Sequence, residues 1–197
     1  RDFRRLGLGK LGTAHWKTIQ AFTESADVIS NELIDPDDVP GDLGECYRAY
    51  LETLERYHFL TFGRLVALAV EELGDIDVFT RVHSPLRYLF VDEYQDVNPA
   101  QEKLVEILAT APVELCVVGD DDQSIYQWRG SDVANILTFA RRYEGATTAV
   151  LDTNRRSRPG IIAAANAFAG TIAPRLAKTM APHRPAAKVE VVPWCEE

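Results

Sequence analysis

Histidine and cysteine are scarce in this sequence and are never arranged as ligands. The 197 residues hold four histidines, His15, His58, His83 and His183, and three cysteines, Cys46, Cys116 and Cys195. No two cysteines form a Cys-x-x-Cys pair, their odd number argues against a disulfide framework, and the histidines lack metal-ligand spacing. No protein-bound zinc or haem is expected. Cys116, within Leu115-Cys116-Val117-Val118, reads as a small buried hydrophobe. Long apolar runs are missing too. Nothing approaches the roughly 18 to 20 residues of a membrane span, and no charged-then-apolar segment opens the sequence. The expectation is a cytoplasmic protein without a membrane partner.

Net positive charge is also lacking. The sequence carries 21 Lys and Arg against 30 Asp and Glu, a formal charge of -9. That balance speaks against a nucleic-acid partner, because backbone affinity comes from Lys and Arg neutralising phosphates. The deficit is uneven, however. Residues 153–197 carry seven Lys/Arg and three Asp/Glu, whereas the 152 residues before them carry 14 and 27. A basic end beside an acidic body fits either a solvated face or one wall of a groove for an anionic ligand. A phosphate loop is absent as well. Gly7-Leu8-Gly9-Lys10 has its composition, but the motif needs Gly-x-x-x-x-Gly-Lys-Ser/Thr between a strand and a helix. Here Leu11 follows Lys10 and no apolar strand precedes Gly7, so a plain loop is expected.

What is present is an ordinary globular composition, 46% hydrophobic, enough to bury a sizeable core in one domain or in parts of two. After Thr13, a candidate cap, the residues Trp16, Ile19, Phe22, Ala26, Ile29 and Leu33 recur at helical spacing. A Pro-, Gly- and Asp-rich turn at 35–42 separates this helix from a second over about 43–58, with Tyr47, Tyr50, Leu51, Leu54 and Tyr57 on one face. Such an aromatic stripe is more often core than a base-stacking platform. A third helix turns Leu65, Leu68, Ala69 and Leu73 inward.

Residues 86–92 read as a strand, and Asn98-Pro99-Ala100-Gln101 as a helix start with a capping box. That helix has Leu104, Val105, Ile107 and Leu108 on its apolar face and stops at Pro112; a second strand follows at 114–119. Strand, helix, strand predicts a parallel pair joined by a right-handed crossover. Beyond it the pattern predicts a helix over 132–142 and a strand at 147–151. It then predicts a helix from Pro159 containing Ile161, Ile162, Ala165 and Phe168, and a strand at 188–192.

The chemistry gathers where the first two strands end. Leu89-Phe90-Val91 empties into Asp92-Glu93-Tyr94-Gln95-Asp96, and Cys116-Val117-Val118 into Gly119-Asp120-Asp121-Asp122-Gln123. In an α/β sheet, ligands collect at such ends, and two neighbouring acidic ends imply a metal and phosphate site. Mg2+ takes hard oxygen ligands, often one or two carboxylates plus substrate phosphates, so Asp92 suits the metal and Glu93 an attacking water. Taken alone, an Asp-Glu pair after a strand is more often a solvated loop. Gln123 can reach a terminal phosphate or its attacking water. Tyr126 and Trp128, two residues apart, can line one groove, and Arg129 can reach a backbone phosphate; the plainer reading is a packed Trp beneath an arginine.

These residues resemble the UvrD/Rep/PcrA-like group of superfamily 1 DNA helicases. Val91-Asp92-Glu93-Tyr94-Gln95-Asp96 is similar to that family's motif II, the Walker B segment. The run from Gly119 to Gly130 is similar to motif III, and Leu151-Asp152-Thr153-Asn154-Arg155-Arg156-Ser157 to motif IV. Order and approximate spacing also match, over roughly residues 45–197.

The resemblance implies an α/β fold: a RecA-like parallel sheet of the P-loop NTPase type with an N-terminal helical portion, both motor domains being incomplete. It divides the chain into 1–60, the end of a helical insertion, 61–152, part of the first motor domain, and 153–197, the start of the second. It implies an ATP-dependent helicase or translocase, a hydrolase associated with DNA repair, that uses ATP and Mg2+ on single-stranded DNA or DNA with a single-stranded tail. Asp92 is then the metal ligand, Glu93 the catalytic base, and Gln123 the group coupling nucleotide state to DNA. Arg156 is the γ-phosphate arginine, and Tyr126, Trp128 and Arg129 are DNA contacts.

Two positions depart from the family pattern. Thr61 stands where an aspartate is common, and Arg155 where many relatives carry a tyrosine that stacks on adenine; a guanidinium can also stack there. No Walker A lysine and no motif V or VI is present, so the chain is expected to be inactive alone. The other reading is a non-catalytic binding or regulatory module of the same descent.

Overall fold

A computed structural model describes residues 2–12, 14–125 and 132–183. The chain divides into two compact units, residues 1–136 and 137–197. The first opens with a short α1 (Asp2–Arg5) and continues through α2 (His15–Asn31), α3 (Gly41–Tyr57), α4 (Phe62–Glu72) and α5 (Ile76–His83). Then come β1 (Tyr88–Val91), α6 (Pro99–Leu108) and β2 (Glu114–Val117). β1 and β2 pair in parallel, with Tyr88 opposite Glu114 and Val91 opposite Val117, as strand, helix, strand order predicts.

The helical core is a cluster of Leu8, Phe22, Ala26, Ile29, Val39, Cys46 and Tyr47. Phe22 meets Tyr50 edge-on at 5.5 Å between ring centroids, and the Tyr47 hydroxyl shares a buried hydrogen bond of 3.1 Å with Ser30. Full burial of one such side chain stabilises by roughly 1.5–3 kcal/mol. The expected stripes are rotated in detail. Trp16, the first residue expected inward, is 77% exposed, and α4 buries Ala67 while Leu65 faces out. At 3.6 residues per turn Trp16 is rotated away from the side of α2 that carries the buried Thr18, Phe22 and Ile29.

Gly7-Leu8-Gly9-Lys10 is a structural corner. Gly7 adopts a left-handed φ of 73°, Leu8 is buried, and Lys10 forms an ion pair with Glu45 of α3. The Glu45 carboxylate raises the Lys10 pKa by hydrogen bonding and charge, and Lys10 lowers that of Glu45 for the same reasons. The lysine that gives this loop its phosphate-loop composition is therefore spent on α3.

Caps carry the boundaries. Thr61 accepts the Arg64 backbone N–H at 3.3 Å as the N-cap of α4, so the departure from aspartate keeps a side chain of cap type. Asn98 and Gln101 form the expected capping box at α6, with Pro99 in its first turn. Helix α5 was not expected. Asp75 caps it through the backbone N–H groups of Asp77 and Val78, and His83 near its end bonds the Thr110 carbonyl oxygen at 2.8 Å through Nε2.

Several expectations fail locally. Cys116 is exposed, because the sheet face carrying Tyr88, Phe90 and Cys116 is uncovered among the described residues while Leu89, Val91, Leu115 and Val117 turn to the partly covered face. The helix expected over 132–142 breaks into α7 (Ala134–Leu137) and α8 (Phe139–Arg142), with no buried residue in either to hold a longer helix. Residues 147–151 form no strand; Val150 and Leu151 are exposed and no partner strand pairs with them.

In the second unit, β3 (Thr153–Asn154) pairs in parallel with β4 (Ala181–Pro182), and α9 (Pro159–Ala169) lies between them in sequence, burying Ile162. The Asn166 side chain holds both polar backbone groups of Met180, at 2.9 and 3.0 Å. The strand expected at 188–192 and the Thr13 cap lie outside the described residues. Among the described residues, no helix is long and apolar enough to cross a membrane.

The turn that follows β1 is tied to α6 by the fully buried Tyr94, whose hydroxyl donates to the Glu102 carboxylate at 2.5 Å. A hydrogen bond to a charged acceptor contributes about 1.5–3 kcal/mol. Tyr94→Phe is expected to lower the free energy of unfolding by that amount, read from the midpoint of a urea titration with its slope unchanged.

Candidate functional site

The site begins with a backbone irregularity. β1 ends at Val91, and Glu93 takes a left-handed conformation, φ 51° and ψ 43°. For a residue with a Cβ this costs roughly 1–2 kcal/mol. Local bonds hold it there: the Asp92 carboxylate accepts the Glu93 N–H at 3.0 Å, and the Tyr94 N–H reaches the Val118 carbonyl oxygen at 3.0 Å, extending the ladder past the strand. The result is an abrupt exit from the sheet into a single 3-10 turn, Tyr94–Asp96, with Asp92 and Glu93 exposed above it.

Gln95 occupies the centre and is 1% exposed. Its Nε2 donates to Glu93 Oε2 at 2.7 Å, and its Oε1 accepts the Asp120 N–H at 2.9 Å. A carboxylate on one side and an N–H on the other fix which way round the amide sits. The Ser124 hydroxyl donates to the Gln95 carbonyl oxygen at 3.5 Å. On the β2 side, Asp120 organises its own turn. Oδ1 accepts the Asp122 N–H at 3.2 Å and Oδ2 accepts the Gln123 Nε2 at 2.7 Å, while Gln123 is otherwise exposed.

Position 119 is crowded, so a side chain there would displace its neighbours. A Cβ there would lie 2.7 Å from Gln95 Oε1, 2.8 Å from Ile136 Cδ1 and 3.2 Å from the Tyr94 nitrogen. Asp96 is the discordant member of the cluster. Its Oδ1 is buried without a hydrogen-bond partner, and its pKa is raised by burial and, less, by the charge of Glu93.

Asp92, Glu93 and Gln123 thus come to one edge of the β1–β2 pair, as the sequence predicts. Arg155 and Arg156 belong to the second unit. There the Asn154 side chain accepts the backbone N–H groups of Arg156 and Ser157 at 3.0 and 2.8 Å, making a tight turn that leaves both arginine side chains exposed. Arg155 Nη1 lies 3.5 Å from His183 Nε2. Tyr126, Trp128 and Arg129, the expected DNA contacts, lie outside the described residues. Sequence reasoning included Gln95 in a motif without giving it a task. Its position two residues beyond the acid was the only signal, since burial of an amide leaves no mark in the sequence.

Two substitutions test this geometry. Gly119→Ala is expected to cost about 1–3 kcal/mol in urea unfolding, by forcing Gln95 Oε1 off the Asp120 N–H. Asp96→Asn is expected to raise the thermal midpoint at pH 7. The sign follows from the raised carboxyl: the folded chain holds the Asp96 proton more tightly than the unfolded one, so ionisation destabilises the fold as pH rises. The advantage of asparagine is therefore full above the raised value and vanishes below the ordinary aspartate value of 3.8. Paired melts across that range check it.

Residues 14–144 match the family model described as the UvrD/REP helicase N-terminal domain. Among similar proteins, the ATP-dependent DNA helicase PcrA of Leuconostoc citreum is 44% identical over 126 residues, 64% of this chain and 17% of that protein. The PcrA proteins of Staphylococcus epidermidis and Staphylococcus aureus are 40% and 39% identical over 147 residues, 70% of this chain and 20% of each. The chain therefore spans about a fifth of the length of these relatives. The matched segment takes in both strand ends, the Gln95 bridge between them and the helices behind, and on that match the chain belongs to the UvrD/REP helicase family.

Proposed function

We propose that this chain is part of an ATP-dependent DNA helicase or translocase, an internal segment carrying motifs II to IV, in which the β1–β2 edge is one wall of the ATP site. One observation carries the reading. A parallel pair delivers Asp92, Glu93 and Gln123 to a single edge, and a buried amide ties the two loops together. The relatives named as ATP-dependent DNA helicases support the reaction class. On this reading 61–152 belongs to a RecA-like domain of the P-loop NTPase type, 1–60 to a helical insertion, and 153–197 to the start of a second such domain.

Among the described residues, no group of three or more His, Cys, Asp or Glu could hold a metal by itself. Asp92, exposed at the end of β1, is a hard oxygen donor of the kind Mg2+ takes, which is commonly bound through one or two carboxylates and the substrate's phosphates, and it is the carboxylate that would hold the ion. Bound there, the ion would neutralise charge on the phosphates. Glu93 takes a proton from the attacking water as its oxygen bonds the γ-phosphorus, while the bond from phosphorus to the bridging oxygen breaks to release ADP. Gln123 orients the water or the terminal phosphate. Arg156 supplies positive charge to the transferring group, and Arg155 stacks on the adenine. Tyr126 and Trp128 stack on bases of single-stranded DNA, or of a single-stranded tail, and Arg129 meets a backbone phosphate.

The test is ATP hydrolysis by the full-length gene product with and without single-stranded DNA. Glu93→Gln is expected to lower kcat about 10^2- to 10^4-fold with little change in KM for ATP, and the 197 residues alone to show no hydrolysis. A full-length protein that binds single-stranded DNA and hydrolyses no ATP would instead be the non-catalytic module.

A further inference from the structure

We propose that Gln95 is a positioning residue that ties the Glu93 carboxylate to Gln123, so that the two strand-end loops move as one body. Four residues form the path, which enters Asp120 through its backbone and leaves through its side chain: Glu93 Oε2 to Gln95 Nε2 at 2.7 Å, Gln95 Oε1 to the Asp120 N–H at 2.9 Å, and Asp120 Oδ2 to Gln123 Nε2 at 2.7 Å. The two ends of the path, Glu93 and Gln123, are exposed, whereas Gln95 is 1% exposed and fixed by partners on both sides of its amide. Solvent exchange at the ends therefore leaves the middle intact. Gly119 adds the constraint that makes the path stiff, because its missing Cβ is what lets Gln95 Oε1 approach β2.

Two consequences follow. Glu93, held in a left-handed conformation, is aimed through Gln95 and not by strand geometry alone. Gln123, tied to Asp120, is released only by exchanging Oδ2 for another acceptor, and the oxygens of a terminal phosphate are acceptors of the same charge type. A ligand engaging either end then biases the other through a physically continuous network.

This inference rests on the ATP-site reading above, and its experiment separates the two. In the full-length protein, Gln95→Met keeps side-chain length and burial but removes both bonds, and Gln95→Glu keeps an acceptor for the Asp120 N–H but loses the donor to Glu93. Per folded molecule, kcat is expected to fall roughly ten- to hundredfold in both, with KM for ATP within about twofold of wild type. The Asp120 amide is expected to exchange hydrogen about five- to tenfold faster in Gln95→Met and near wild type in Gln95→Glu. Adding Gln123→Ala to Gln95→Met is expected to lose little more than the worse single change. If either variant fails to fold, the other carries the same measurements. Wild-type kcat per folded molecule in a folded variant, or full additivity with Gln123→Ala, would reduce Gln95 to a packing residue and overturn the proposal. Absence of ATP hydrolysis in the wild-type full-length protein would remove the parent reading, and this one with it.

Discussion

Parallel pairing of β1 with β2 is the constraint on which the candidate site depends. Antiparallel strands joined by a short turn would put the two C-terminal ends at opposite edges; parallel strands put them side by side, at the cost of a crossover. Here the crossover contains α6, and the register from Tyr88 opposite Glu114 to Val91 opposite Val117 sets Asp92 and Val118 as the first residues out of the ladder. The bonds from the Val118 N–H to Val91 and from the Tyr94 N–H to Val118 then carry the pairing past the strands proper, so the loops leave the sheet already aligned.

Two supports keep that edge in place from behind. Tyr94, adjacent to the strained Glu93, is anchored to Glu102 on α6. His83 ties the end of α5 to the carbonyl oxygen of Thr110, just past α6. Both are polar contacts made by buried groups, which give direction as well as stability where apolar packing alone would allow sliding. The helices packed through α2, α4 and α6 supply the apolar area, and caps at Thr61 and Asn98 set where α4 and α6 begin.

Much of this was legible in the sequence because the signals are local. The capping box at Asn98, the two apolar runs and their acidic ends, and helices α2, α3 and α6 all follow from spacing and side-chain chemistry within a few residues. What was not legible depends on long-range geometry. Period two could say that Cys116 and Val117 face opposite ways, but not which face is covered. The run 147–151 has strand composition, yet a strand exists only through a neighbour, and the short pairing of this region falls at Thr153 and Asn154 instead. Helix α5 was missed although Asp75 after Gly74 is a cap signal, since Ile76–His83 is too short for periodicity to stand out. For Gln95, composition and spacing place it in a motif, but only the fold supplies the Asp120 N–H 25 positions away in sequence.

The costs carried by this edge argue about its purpose. Glu93 is held at φ 51°, Asp96 Oδ1 is buried without a partner, and an amide is enclosed between two loops where an apolar side chain would pack more simply. Each is unfavourable or neutral for stability, and they cluster within five residues of one strand end. Strain and imperfectly satisfied polar groups persist where the surrounding structure over-determines them, and that happens most often at sites of chemistry. A surface that only bound a polymer through charge and stacking would have no use for a carboxylate aimed by a second side chain. The arrangement has a use where a proton must be removed at one defined point, which is why the catalytic reading of Glu93 accounts for more of this geometry than the binding-module reading does.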